Sequence, residues 1–252
     1  MNEVTSSALE PGWSQYLDLL KTQILNSLYH SDPEVERGRI CPSFPTLTMI
    51  GRPRLDNIQN LLVDCIRRGV PGDCVEAGIW RGGAVALMAG VIRALGEGSD
   101  RRVVGVDSFQ GIPPAKPEQY PADSAHIGCE KLPVVSDTSR SRVLEWLQRL
   151  DLGSDPRIEV IEGWFSDCLP RLAREGRRFS LVRVDGDTYE STIQALDSLE
   201  PCLEPGGYCI IDDYHSWEGC RAATDDYREK IGEISPLNLV DWTCVFWKKE
   251  PR

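Results

Sequence analysis

An α/β fold with a doubly wound, mostly parallel sheet, an antiparallel last strand and N-terminal helices is predicted by three features of the 252-residue chain. Short apolar, β-branched runs recur, most clearly L-V-R-V at Leu181 to Val184 and Y-C-I-I at Tyr208 to Ile211. Such runs, bounded by turn residues, read as strands buried on both faces. Segments with helical apolar spacing separate them, as βαβ units require. Both runs stop abruptly in acids, Asp185 and Asp187 in the first, Asp212 and Asp213 in the second. Ligands of open α/β sheets bind at the carboxyl ends of the strands, so the four aspartates are expected at one rim.

Taken in order, residues 1–12 read as a frayed terminus. Tyr16, Leu17, Leu20, Ile24 and Leu28 then recur at helical spacing, predicting an amphipathic helix from Trp13 to Tyr29. Pro42, Pro45, Gly51 and Pro53 make Ile40 to Pro53 a loop. Arg54 to Gly69 is the next helix, with Gly69 as its C-cap. Cys74 to Trp80 is the first core strand and runs into G-I-W-R-G-G; a helix follows from Ala84 to Leu95. Val103 to Val106 is the second strand and ends in Asp107-Ser108. Gln110 to Val135 carries five prolines, and a long irregular segment inside a compact domain is usually functional, often a lid. A helix from Ser139 to Leu150, a strand from Arg157 to Ile161 and a strand from Phe179 to Val184 come next. A helix from Tyr189 to Leu203 leads through E-P-G-G to the fifth strand. A helix from Glu218 to Ile231 and a final antiparallel strand from Trp242 to Lys248 complete the chain.

Composition narrows the function. A chain with 41% hydrophobic residues can bury one sizeable core. The N-terminal helix and loop, 1–53, are expected to act as a lid or interface, and 54–252 as the catalytic domain. Asp and Glu number 39 against 28 Lys and Arg, a net charge of -11, which argues against a nucleic-acid binder. No secretory signal and no bilayer-length apolar stretch is visible, so a soluble, cytoplasmic protein is expected. Nine cysteines with no C-x-x-C, several inside apolar runs, predict buried free thiols.

The glycine turn carries the first chemical signal. Gly78, Gly82 and Gly83 between a strand and a helix let a ligand approach the backbone, although a tight βα turn needs glycine as well. Asp107 at the end of the second strand can accept from both ribose hydroxyls of an adenine nucleotide. NAD and S-adenosylmethionine both satisfy that pair. The spacing G-x-x-x-G-G, not G-x-G-x-x-G, favours the latter. Trp164 either stacks on the adenine or fills core. The acids carry the second signal. Four converging carboxylates repel, and a hard divalent cation, Mg²⁺ before Ca²⁺ or Mn²⁺, would relieve them; acids after strands also serve as helix caps and turn formers. Asp212 and Asp213 can share an ion only if their strand has ended, because neighbours on a strand point to opposite faces.

Five motifs in order, E-A-G-I-W-R-G-G, V-D-S-F-Q-G-I-P, G-W-F-S-D, V-D-G-D-T-Y-E-S-T and P-G-G-Y-C-I-I-D-D-Y, resemble the macrocin-type O-methyltransferases from about Thr48 to Arg228. These enzymes use S-adenosylmethionine to methylate sugar hydroxyls on antibiotics and related natural products. The resemblance implies a Rossmann-like methyltransferase sheet, a Mg²⁺ held by Asp185, Asp212 and Asp213, and Asp187 as general base. It implies cofactor contacts from Thr48, Met49, Glu76, Ala77, Gly78, Gly82, Gly83, Asp107, Ser108, Ser136, Gly163, Trp164 and Asp185. By analogy it also implies a small-molecule glycoside as substrate and a homo-oligomer. His215, two residues past Asp213, is either an alternative base, a donor to one of the aspartates, or a solvated loop histidine. The chemistry expected is in-line attack of an alcohol on a sulfonium methyl, with the metal and a carboxylate sharing the work of deprotonation, and a vicinal diol as acceptor. The rivals are a catechol O-methyltransferase, an NAD-dependent oxidoreductase and a non-catalytic cofactor-binding protein.

Overall fold

A computed structural model describes residues 10–96, 100–129 and 138–251. Its helices are α1 (Pro11–Leu25), α2 (Pro33–Glu36), α3 (Gly51–Arg67), α4 (Gly83–Leu95), α5 (Arg140–Arg149), α6 (Phe165–Arg174), α7 (Tyr189–Leu199) and α8 (Glu218–Ile231). Its strands are β1 (Asp73–Ala77), β2 (Val103–Asp107), β3 (Ile158–Glu162), β4 (Phe179–Val184), β5 (Leu203–Ile211), β6 (Asn238–Leu239) and β7 (Val245–Lys248). They form one sheet in the order β3-β2-β1-β4-β5-β7-β6. β3 through β5 are mutually parallel, and β7 runs antiparallel to β5. The predicted fold class is the observed one.

Alternation along the strands divides the core. Cys74, Val103, Leu181 and Ile210 face one layer, with α1, α3, α4 and α5. Val75, Val104, Val182 and Cys209 face the other, with α6, α7 and α8. The chain winds outward from β1 to β3, then returns to place β4 on the other side of β1. That reversal opens the crevice between the ends of β1 and β4.

Several boundaries differ from the sequence reading. β1 ends at Ala77, not Trp80, because Gly78 turns the chain at φ +92°. α1 ends at Leu25, where Asn26 adopts a left-handed conformation, and Leu28 is 71% exposed, not inward. α3 begins at Gly51; Pro53 fits its first turn, where no intrahelical N–H is needed. α7 stops at Leu199 and a short 3₁₀ turn, Glu200–Cys202, follows, because Pro201 cannot continue a helix. α6 was not anticipated. Pro170 lies inside it and removes one backbone bond, while Cys168, Leu169 and Leu172 bury a common face that holds the helix. β5 ends at Ile211, so Asp212 and Asp213 lie beyond the strand and are free to turn the same way. All nine cysteines are free thiols, seven of them buried. Among the described residues no helix is long and apolar enough to cross a membrane.

α1 docks on α4 through Gly90, where a Cβ would come within 3.5 Å of Leu17 and closer still to Leu20. Gly90→Val should therefore loosen α1 at a cost of about 1–3 kcal/mol. Limited proteolysis should then cut within residues 11–25 while the sheet stays protected; an uncut α1 would refute this.

Candidate active site

A cavity of about 990 Å³ lies over the carboxyl ends of the parallel strands. Each strand delivers one wall residue or more: Gly78 after β1, Asp107 on β2, Trp164 after β3, Asp185 and Asp187 after β4, Asp212 and Asp213 after β5. Typical single-ligand sites reach that volume only at their upper end, so a nucleoside cofactor and an acceptor can fit together.

The glycine turn is shaped from below. A Cβ on Gly78 would run into the Asp185 carbonyl oxygen, so no other residue fits there. The Asp107 carboxylate accepts from Ile79 N at 2.9 Å, Trp80 N at 2.8 Å and Phe109 N at 2.7 Å. It thereby holds Trp80, whose φ of +47° is unusual for a bulky residue. An ionised carboxylate offers roughly four acceptor positions. Three of those positions are occupied by backbone donors. Burial raises its pKa, and the three backbone donors oppose that shift.

Beneath the acids lies a network the sequence reading missed. Glu76 and Arg183 are partners in the β1–β4 register, and both are almost fully buried. Arg183 donates to Glu76, to Asp185 Oδ2 at 2.8 Å and to Asp212 Oδ1. Arg54, from α3, donates to Asp212 Oδ2, to Asp241 Oδ2 at 2.9 Å and to the Gly38 carbonyl at 2.7 Å. Burial works to raise the Asp212 pKa, yet the two guanidiniums prevail and hold it below the ordinary value. Burial lifts Glu76 to about 8 against the pull of Arg183. The repulsion among the acids is thus partly relieved by two arginines.

Asp213 and Asp187 are not relieved. Burial, then Asp187, Asp185 and Asp212, push the Asp213 carboxyl well above its usual range. Its Oδ2 is buried with no hydrogen-bond partner among the described residues. Burial, then Asp185 and Asp212, push Asp187 to about 7, while the Trp217 side chain opposes. One oxygen each from Asp185, Asp212 and Asp213 lies within 4.8 Å of the others. An all-oxygen set with an orphaned carboxylate oxygen fits a hard divalent cation. Asp187 takes a left-handed φ of +57°, which aspartate tolerates.

The macrocin O-methyltransferase (TylF) family profile matches residues 32–249. The chain belongs to that family. A demethyldecarbamoylnovobiocin O-methyltransferase of Streptomyces niveus is 39% identical over 251 residues, covering 94% of each chain. The 8-demethyl-8-(2,3-dimethoxy-alpha-L-rhamnosyl)-tetracenomycin-C 4'-O-methyltransferase of Streptomyces olivaceus is 37% identical and covers 92% of each. The mycinamicin III 3''-O-methyltransferase of Micromonospora griseorubida is 35% identical, over 94% of this chain and 97% of its own. Among solved structures, the O-methyltransferase NovP superposes with a TM-score of 0.87 at 36% identity, over 95% of this chain and 100% of its own. The protein is an S-adenosylmethionine-dependent O-methyltransferase.

The expected site residues divide three ways. Met49, Gly78, Asp107, Ser108, Trp164, Asp185, Asp187, Asp212, Asp213 and His215 line the cavity. Trp164 is therefore wall rather than core, and His215 is an exposed rim residue whose backbone N–H donates to Thr243 O at 3.1 Å. Thr48, Glu76, Ala77, Gly82, Gly83 and Gly163 stand behind that lining. Thr48 is buried at the turn into α3, and Ala77 O accepts from Asp185 N at 2.9 Å. Glu76 is turned to Arg183. Gly82 is packed against Val143, Gly83 N donates to Leu47 O at 2.9 Å, and Gly163 N donates to Asp107 O at 2.9 Å. Ser136 lies outside the described residues. Arg54, Arg183, Trp217 and Trp242 were not anticipated. Arginine inside L-V-R-V, a run otherwise apolar, was the available signal, because a charge there must find a buried partner.

Replacing Arg183 by Met should cost about 3–5 kcal/mol, the range for stranding one side of a buried ion pair. Urea unfolding measures it; a loss under about 1 kcal/mol would mean the carboxylates find relief elsewhere.

Proposed function

We propose that this enzyme methylates a sugar hydroxyl on a natural-product glycoside, with Asp187 as general base beside a divalent cation. The observation that carries the reading is the meeting of Asp185, Asp187, Asp212 and Asp213 in one cavity, in a chain whose relatives are named for O-methylation of a rhamnosyl-tetracenomycin, of mycinamicin III and of demethyldecarbamoylnovobiocin.

S-adenosylmethionine supplies an electrophilic methyl on a sulfonium. Gly78, Asp107, Ser108 and Trp164 line the half of the cavity where the glycine turn would hold it. Asp185, Asp212 and Asp213 would hold Mg²⁺, which when bound supplies positive charge that makes a nearby hydroxyl more acidic. Arg54 and Arg183 keep Asp212 ionised for that role. Asp187 takes the hydroxyl proton on its carboxylate, and the Trp217 side chain, in the same cavity wall, favours its ionised form. Trp217, Trp242, Ile112 and Pro114 enclose the acceptor side and exclude water. A vicinal diol is the acceptor that best uses a cation and a base side by side.

The test is methyl transfer to a panel of deoxysugar glycosides and simple catechols, with Mg²⁺ and with EDTA. EDTA-sensitive methylation of a glycoside is expected, and a matched glycoside lacking the neighbouring hydroxyl should react far more slowly. Methylation of catechols alone would overturn the sugar acceptor. Asp187→Asn should lower kcat by about 10²–10⁴-fold and preserve S-adenosylhomocysteine binding.

The base works ionised, so activity should fall as pH drops through its pKa. Burial and then the facing acids set that near 7, and a held cation would lower it. The acidic limb of the kcat/KM profile should therefore lie below pH 7; a profile flat down to pH 5 would remove Asp187 from the role.

A further inference from the structure

We propose that a short turn of the proline-rich segment, Asp123 with His126, is the positioning element for the base Asp187; the inference rests on the base reading above. Asp187 sits between two supports. On its chain side, α7 begins two residues later. Asp123, from the 3₁₀ turn Pro121–His126, accepts from Tyr189 N at 2.6 Å and Glu190 N at 3.2 Å. A carboxylate at a helix start satisfies orphan N–H groups and complements the helix dipole. This one comes from a segment more than 60 positions away in the chain. It also sits against Gly219 in the first turn of α8, where any Cβ would strike its Oδ1. Asp123 thus lies between the first turns of the two helices that follow the two acid runs.

On its other side stands Trp217, which lines the cavity together with Asp187 and whose side chain favours the ionised carboxylate. The indole is packed by the His126 imidazole, with ring centroids 4.2 Å apart. His126 is 0% exposed, and among the described residues neither of its ring nitrogens has a hydrogen-bond partner. Its Nδ1 stands 3.6 Å from Asp123 Oδ1. A buried imidazole with both nitrogens unpaired is unfavourable in itself, so its burial is sustained by the contacts of its ring and of its neighbour Asp123. One turn therefore holds the base from both directions: the backbone after it through Asp123, the indole beside it through His126. The same segment supplies Ile112, Pro113, Pro114 and Lys116 to the cavity, and Lys116 Nζ donates to Glu190 Oε1 at 2.6 Å. An acceptor seated against Ile112 to Pro114 bears on the element that aims the base.

Hydrogen exchange on the full chain with S-adenosylhomocysteine bound reads the positioning without an acceptor. His126→Ala and Asp123→Asn should each speed exchange across residues 185–191 by at least about tenfold. His126→Phe, which keeps a ring and discards the unpaired nitrogens, should stay near wild type. On a methylated glycoside, His126→Ala should lower kcat by about tenfold with KM for S-adenosylmethionine within about twofold. In a Trp217→Phe background, which removes the indole N–H, His126→Ala should lower kcat little further. Unchanged exchange at 185–191 in both variants overturns the proposal, as does an additive loss in the double variant. If Asp123→Asn fails to fold, the Ala and Phe variants of His126 decide alone. Turnover retained by Asp187→Asn would refute the base reading separately, and the exchange result would still decide whether this turn positions the loop.

Discussion

Arg183 occupies the centre of the sheet, and the rim chemistry is built around where its charge must go. A guanidinium stripped of water is strongly unfavourable unless its charge meets carboxylate acceptors. Here the acceptors are Glu76 on β1, Asp185 after β4 and Asp212 after β5. One cation thereby ties the ends of three neighbouring strands, and the Glu76–Arg183 register match fixes how far each strand extends. Arg54 adds a second guanidinium to Asp212 from the helical layer. Of the four aspartates that line the cavity, only Asp212 is held below its ordinary pKa by these arginines; Asp185, Asp187 and Asp213 are all pushed up. The negative charge left over is where the proposed cation and base would act.

Asp107 makes a similar division of labour on the cofactor side. Its carboxylate closes the glycine turn by accepting three backbone N–H groups, so the turn is held open at a defined height above β1. Gly78 must pass over the Asp185 carbonyl to reach that height. The glycine turn and Asp185 are consequently in backbone contact. A change at either one shifts the other, which matters because methyl transfer depends on alignment over fractions of an ångström.

The sheet, its order of elements and the acids at its rim were legible in the sequence, because buried parallel strands write themselves as apolar runs and turns write themselves as glycine, proline and acid. α6 was not legible, since Pro170 argues against a helix and only its packed face argues for one. The roles within the site were harder to read than its membership. Glu76 and Gly83 belong to the motifs, yet they face Arg183 and Leu47. Whether a motif residue faces inward or toward the ligand depends on register with distant strands. The contacts that decide it, Arg54 to Asp212 and Trp217 to Asp187 among them, join segments whose separation in the chain carries no local periodicity.

The acceptor side is assembled from three segments that meet at one carbonyl. Gly38 O accepts from Arg54 Nη2 at 2.7 Å and from Trp242 Nε1 at 3.2 Å. Arg54 continues to Asp212 and Asp241, and its guanidinium lies 6.0 Å from the Trp242 ring centroid. Arg39, Ile40 and Cys41 line the cavity immediately after that carbonyl. The wall that follows Gly38 is therefore anchored by the same side chain that helps hold Asp212 ionised. Lysine could not replace Arg54 there: it cannot span Asp212, Asp241 and Gly38 at once, because its donors radiate from a single nitrogen.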